Sequence, residues 1–182
     1  MDREKLFRAS NFFFELSKGI VIFIVVLILI HFFVATIYKV DGPSMEPNFH
    51  TSQYVLIDRI SYIFSTPKRG DVVVLKFPGD PEKSKYVKRI IGLPKEKVTL
   101  KDGFVYVNST LLTEVYLPTN TRTYPDMEIS LNQDEYFVLG DNRENSNDSR
   151  FFGIVPKKFM IGKAFLYVLP VKDWGYIPKE EY

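Results

Sequence analysis

The chain begins with a polar segment, residues 1–18, that mixes Arg3, Lys5, Arg8 and Lys18 with Asp2, Glu4 and Glu15. An apolar run follows from Ile20 to Tyr38, broken only by His31 and Thr36. About 20 apolar residues suffice for a helix to cross the hydrocarbon core. A cleaved signal peptide would have an apolar region of about 7–15 residues and a small-residue cleavage site after it. This run is longer and continues into Tyr38-Lys39-Val40-Asp41, so residues 19–38 are expected to be a retained transmembrane anchor. His31 reads as a tolerated polar residue near its outer end. Four basic residues precede the span, which places the N-terminus in the cytoplasm and the body outside the cell membrane, in a single pass.

Beyond Lys39 the pattern changes. Short stretches rich in Val, Ile, Phe and Tyr are bounded by Gly, Pro, Asn and Asp, the punctuation of strands. They are Gln53–Asp58, Asp71–Phe77, Lys85–Ile91, Lys97–Leu100, Phe104–Asn108, Glu135–Leu139 and Lys163–Leu169. Lys101-Asp102-Gly103 predicts a hairpin turn between two of them. No later stretch has strong helical periodicity, although 60–65 could form a short turn. Residues 109–134 are looser and suggest a small insertion or flap. The expected organisation is therefore an N-terminal segment, 1–18, an anchor, 19–38, and a mainly β body, 39–182.

Composition narrows the chemistry. The 182 residues include no cysteine, which excludes a disulfide framework, a thiolate nucleophile and cysteine metal sites. The body is close to neutral and has no basic tract, so nucleic acid is not an expected partner. There are two histidines and no His-Glu-x-x-His, which leaves metal chemistry without support.

Three polar stretches remain. Gly42-Pro43-Ser44-Met45-Glu46-Pro47 holds a serine on a stiff backbone, because Pro43 fixes its own φ and Pro47 ends any local helix. That suits a presented nucleophile and equally an ordinary turn. Ser44 lies six residues after Tyr38, at most about 20 Å of extended chain, so it stays near the membrane surface. A serine nucleophile needs a base. His50 is close in sequence, but a Pro-containing six-residue loop makes that pairing awkward, and a lysine is the other choice. Lys88 lies in Tyr86-Val87-Lys88-Arg89-Ile90, where a strand would put Tyr86, Lys88 and Ile90 on one face. Desolvation there would lower its pKa toward that of a general base; a lysine snorkelling to water is the alternative. The third stretch, Gly140 to Arg150, is a solvated loop or a functional one.

In this order, behind an N-terminal anchor, the stretches resemble the type I signal peptidases, above all the short Gram-positive ones. Gly42-Pro43-Ser44-Met45-x-Pro47 resembles the family's serine motif, and Arg69-Gly70-Asp71-Val72 its next strand. Tyr86-Val87-Lys88-Arg89-Ile90-Ile91-Gly92-Leu93-Pro94 resembles the lysine motif. Gly140-Asp141-Asn142-Arg143 through Ser146, Asp148, Ser149 and Arg150 resembles the last.

The resemblance implies an antiparallel β-sheet body and a serine endopeptidase that removes signal peptides from secretory preproteins after small residues, Ala-x-Ala in type. It implies Ser44 as nucleophile, Lys88 as general base, and no cofactor or metal. Some relatives have a hydroxyl two places before the serine. Gly42 stands there, so a backbone N–H is expected to hold the oxyanion. Ser146 would orient the lysine amine, and Arg150 would pair with Asp148 to keep that carboxylate from acting as the lysine's counter-ion. Met45 would belong to the membrane-near substrate surface or pack as a plain hydrophobe. Asn48 and Lys95 replace the family's usual Thr and Gly, at places expected to be peripheral. A non-catalytic, membrane-tethered β-domain that binds a partner is the alternative, since anchor and strands would serve it equally.

Overall fold

The structure is a computed structural model that describes residues 3–29, 34–76, 79 and 84–178. A long helix, α1 (Arg3–Leu29), leads into β1 (Ala35–Lys39), β2 (Tyr54–Asp58), the short helix α2 (Ser61–Phe64), β3 (Val72–Lys76) and β4 (Lys85–Gly92). Then come β5 (Lys97–Lys101), β6 (Phe104–Val107), β7 (Thr110–Leu111), β8 (Met127–Ser130) and β9 (Glu135–Leu139). A one-turn helix, α3 (Ser149–Phe152), precedes β10 (Val155–Pro156), β11 (Met160–Leu169) and β12 (Gly175–Tyr176).

The 19 residues Asn11–Leu29 are long and apolar enough to cross a membrane, and none of them is buried against the body. The anchor ends earlier than the apolar run suggests. Residues 35–38, expected inside it, belong to an edge strand, β1, paired antiparallel with β2. Apolar β-branched residues serve a strand as well as a spanning helix, so hydropathy alone does not separate the two. Residues 30–33, with His31, lie outside the described residues, as does Phe77 at the end of an expected strand.

Among the described residues every strand pair is antiparallel. One sheet runs β1-β2-β11-β3-β4-β9-β10, with β12 added to β11. The other runs β7-β6-β5-β8. β3 is central, and its first four residues are all buried, so it reads as an unbroken Val-Val-Val-Leu run. β5 and β6 have one buried face, and Val98, Leu100, Val105 and Val107 alternate inward. Their hairpin turns at Asp102 and Gly103, both at positive φ (55° and 81°), the arrangement that suits an Asp-Gly two-residue loop.

Three apolar clusters fill the body. The first gathers Val40, Met45, Phe49, Val55, Ile57, Val72, Val74 and Ala164. The second packs Ile91, Phe137 and Leu139 of the large sheet against Val98, Leu100 and Val105 of the small one. The third holds Val73, Ile90, Tyr136 and Val138, with Tyr86 against it, so Tyr86 and Ile90 do share a face. Residues 109–134 are less of a flap than expected: β7 and β8 complete the small sheet.

Candidate active site

Ser44 sits on a turn that the first cluster pins from both sides. Met45 and Phe49 are fully buried there. Phe49 lies against the Tyr167 ring, 5.1 Å between centroids, and Tyr167 donates its hydroxyl proton to Asn48 O at 3.0 Å. Met45 is thus a packed hydrophobe in this fold. Gly42 has φ +83°, a left-handed backbone that an L side chain adopts only with strain. The 140–150 loop grips the same turn. Asn142 donates its N–H to Ser44 O (3.1 Å) and its side-chain amide to Pro43 O (3.1 Å). Gly140 packs so closely that a Cβ there would collide with Ser44 O and Ser146 Oγ.

Lys88 comes from β4, opposite Val73 of the central strand. It is 2% exposed, and its Nζ donates to Ser44 Oγ at 2.7 Å. Burial dominates its electrostatics and pulls its pKa from 10.5 down to about 8. Asp148 and Asp141 pull the other way, and Arg150 pushes it down further. So at neutral to mildly alkaline pH a usable fraction of Lys88 is a free amine beside a hydroxyl. His50 is exposed, and its backbone N–H is held by Gln53 Oε1. Among the described residues the Ser44 N–H has no acceptor within the chain.

The contact expected between Asp148 and Arg150 is present. Arg150 Nε and Nη2 each donate to the carboxylate at 2.8 Å, with both side chains buried. Gly140 N–H (2.9 Å) and Arg150 N–H (3.2 Å) also donate to it, so Asp148 is occupied and caps α3. Arg150 is anchored in turn on Tyr124 O (2.8 Å). Ser146 differs from expectation. Its Oγ is buried without a hydrogen-bond partner, and the amine it was to orient bonds Ser44 instead. Gly140 brings the loop down so tightly that Ser146 faces the Ser44 carbonyl region.

A second ion pair braces the site. Arg89, next to Lys88, makes a buried two-point contact with Asp141 (2.8 and 2.6 Å). Asn48 donates to the same carboxylate (2.8 Å) and to Tyr116 O (3.1 Å), so it is a joint between the serine turn, the last loop and the 109–134 segment. Arg143 reaches Glu114 (2.5 and 2.9 Å) and Thr123 (2.5 Å) in that segment. A signal for Arg89 existed in the sequence: a charge beside the apolar Ile90-Ile91 end of a strand needs a partner when it is buried. Lys95 keeps the turn after β4 with φ +67°, its N–H donating to Leu131 O (3.0 Å).

The arrangement can transfer a proton from a serine hydroxyl to a desolvated amine, which is the start of nucleophilic catalysis. Comparison with known proteins shows what the whole chain is similar to. Residues 13–169 match the family model described as signal peptidase, peptidase S26. A probable signal peptidase I-2 of Synechocystis sp. is 38% identical over 92% of this chain and 78% of its own. A signal peptidase I of Bacillus licheniformis is 34% identical over 95% of this chain and 97% of its own. A crystal structure of a signal peptidase I from Enterococcus faecalis V583 aligns with 54% of this chain and 97% of its own, at 31% identity and a TM-score of 0.48. With its apolar N-terminal helix as membrane anchor, the chain belongs to the signal peptidase family, peptidase S26.

Proposed function

We propose that this chain is a membrane-anchored serine endopeptidase that removes N-terminal signal peptides from secretory preproteins, cleaving after small residues of Ala-x-Ala type. Ser44 is the nucleophile and Lys88 the general base. The observation that carries this reading is the 2.7 Å bond between Lys88 Nζ and Ser44 Oγ, made by a buried lysine whose pKa is pulled to about 8.

In this mechanism the neutral amine accepts the Ser44 hydroxyl proton as Oγ attacks the scissile carbonyl. The Ser44 N–H holds the oxyanion, a contribution typically of ~3 kcal/mol for one donor. The ammonium then gives its proton to the leaving amine of the mature protein, and an acyl group remains on Ser44. Lys88, neutral again, activates the water that releases it. Arg150 occupies Asp148, whose carboxylate would otherwise stabilise the ammonium and spoil the base. Arg89–Asp141 and Asn48 keep the serine turn in register with β4. The four basic residues before the span put the N-terminus in the cytoplasm and the site on the outer face.

The test is cleavage of a secretory precursor by detergent-solubilised wild type, Ser44→Ala and Lys88→Ala, with folding of each checked by circular dichroism. Cleavage by wild type after a small residue, and none by either folded variant, is the expected result. A cutting Lys88→Ala protein would move the role of base elsewhere, and an inert wild type would favour the tethered binding domain.

A further inference from the structure

Two strand edges near the Ser44–Lys88 pair are open. β1 is the outermost strand of the large sheet, with β2 on one side of it. β9 pairs with β4 from Arg89 onward, so among the described residues 85–88 have no strand on that side. In sheet order β2, β11 and β3 stand between β1 and β4, yet Lys85 Nζ lies 4.5 Å from the centroid of the Tyr38 ring. The sheet therefore curls until its two open edges face each other. Tyr38 and Val87 pack from either edge against the same apolar cluster, which also holds Val40 and Val74. The gap between the edges leads from the Tyr38–Lys85 contact to the Ser44–Lys88 contact.

Charge at the rim of this gap is unbalanced. Lys85 stands directly opposite Lys76 of β3, and both are exposed. Like charges opposite one another across a strand pair are destabilising. No ion pair among the described residues offsets this one. The Tyr38 ring attracts Lys85 from one side, and the other side faces the gap.

On the endopeptidase reading, on which this inference rests, the segment before the scissile bond arrives from the membrane along β1, the strand that follows α1. An extended peptide between two open edges takes main-chain bonds from them and turns alternate side chains to one face. Its first, third and fifth residues before the bond then share the face that looks onto the apolar cluster. Lys85 is three residues, about 10 Å, along β4 from Lys88. The fifth residue lies about 13 Å from the first, and the four-carbon lysine stem covers the difference.

We propose that Lys85, reinforced by Lys76, selects for charge at the fifth residue before the scissile bond, favouring an acidic side chain there and disfavouring a basic one. The small-residue rule at the first and third positions is separate from this selection, because those positions lie deeper along the gap.

The test uses the detergent-solubilised full chain without added lipid. Precursor peptides keep Ala-x-Ala before the bond and carry Asp or Asn at the fifth residue. The two side chains match in shape and differ in charge, so the ratio of their kcat/KM values within one enzyme isolates charge and cancels any general loss of activity. Wild type is expected to favour Asp about 3-fold at low salt, and the ratio should fall toward one as salt is raised. Lys85→Met should level the ratio and Lys85→Glu should invert it. A wild-type ratio of one, a ratio that both lysine substitutions leave unchanged, or a preference as large with the Asp and Asn pair at the fourth residue overturns the proposal and leaves the two lysines to another anion, such as a lipid headgroup. A wild type that cuts none of the peptides, the all-Ala reference included, refutes the endopeptidase reading itself and this inference with it.

Discussion

Replacing Lys88 by Met should abolish cleavage and yet stabilise the protein at neutral pH. Lys88 is 2% exposed, and its pKa falls from 10.5 to about 8 on folding, chiefly through burial. At ~1.4 kcal/mol per unit, keeping the ammonium in this site costs the folded state about 3 kcal/mol at pH 7. The sign follows from proton counts. Between about pH 8 and 10.5 the unfolded chain binds more protons than the folded one, so stability rises with pH across that window. Below pH 8 the whole penalty is present. Met fills similar space without charge but gives up the bond to Ser44 Oγ, worth ~1 kcal/mol. The variant should therefore gain about 2 kcal/mol at pH 7 and lose that advantage by about pH 10. Urea unfolding of the detergent-solubilised full chain at the two pH values measures it. A variant less stable than wild type at pH 7, or a difference that does not change with pH, would refute the reasoning.

Further substitutions probe the surroundings. Arg150→Ala leaves Asp148 buried without its partner, so it should lose ~3–5 kcal/mol of stability and move the alkaline rise of activity to higher pH. Asp148→Asn combined with Arg150→Met should return that rise close to its wild-type position, and an unmoved profile in Arg150→Ala would remove the pair from the account. Gly140→Ala pushes a methyl into Ser44 O and Ser146 and should cut kcat by ~10²-fold through misplacement of the nucleophile. Gly42→Ala meets nothing within 4 Å and should cost only ~1–2 kcal/mol of left-handed strain, with cleavage largely retained. Ser146→Ala removes a buried hydroxyl that bonds nothing, so its stability should stay within ~1 kcal/mol of wild type. A larger loss would show that the hydroxyl is bonded in solution.

What could be read in the sequence was whatever rests on local pattern. Stretches rich in Val, Ile, Phe and Tyr between turn residues marked β2 to β6, β9 and most of β11, and Asp102-Gly103 marked its turn. Residues 35–38 were absorbed into the apolar run, because no polar residue marks the start of the strand they open. β7, β8, β10 and β12 are two to four residues long, too short for any periodicity. The proximity of Ser44 and Lys88, 44 residues apart, came from resemblance; strand alternation gave only the face that Lys88 shares with Tyr86. Asn48 looked peripheral because its partners, Asp141 and Tyr116, are 93 and 68 residues away. Buried polar joints of that kind depend on tertiary packing and leave no trace in local spacing.

The central claim is that a desolvated Lys88 is the base for Ser44, and the pH dependence of kcat/KM for a precursor peptide tests it most directly. The free enzyme's essential base sets that profile. The account predicts a rise with unit slope that bends at about pH 8 and then levels. A profile flat across the neutral and alkaline range, or one that bends at ~6.5 as a histidine would, contradicts it.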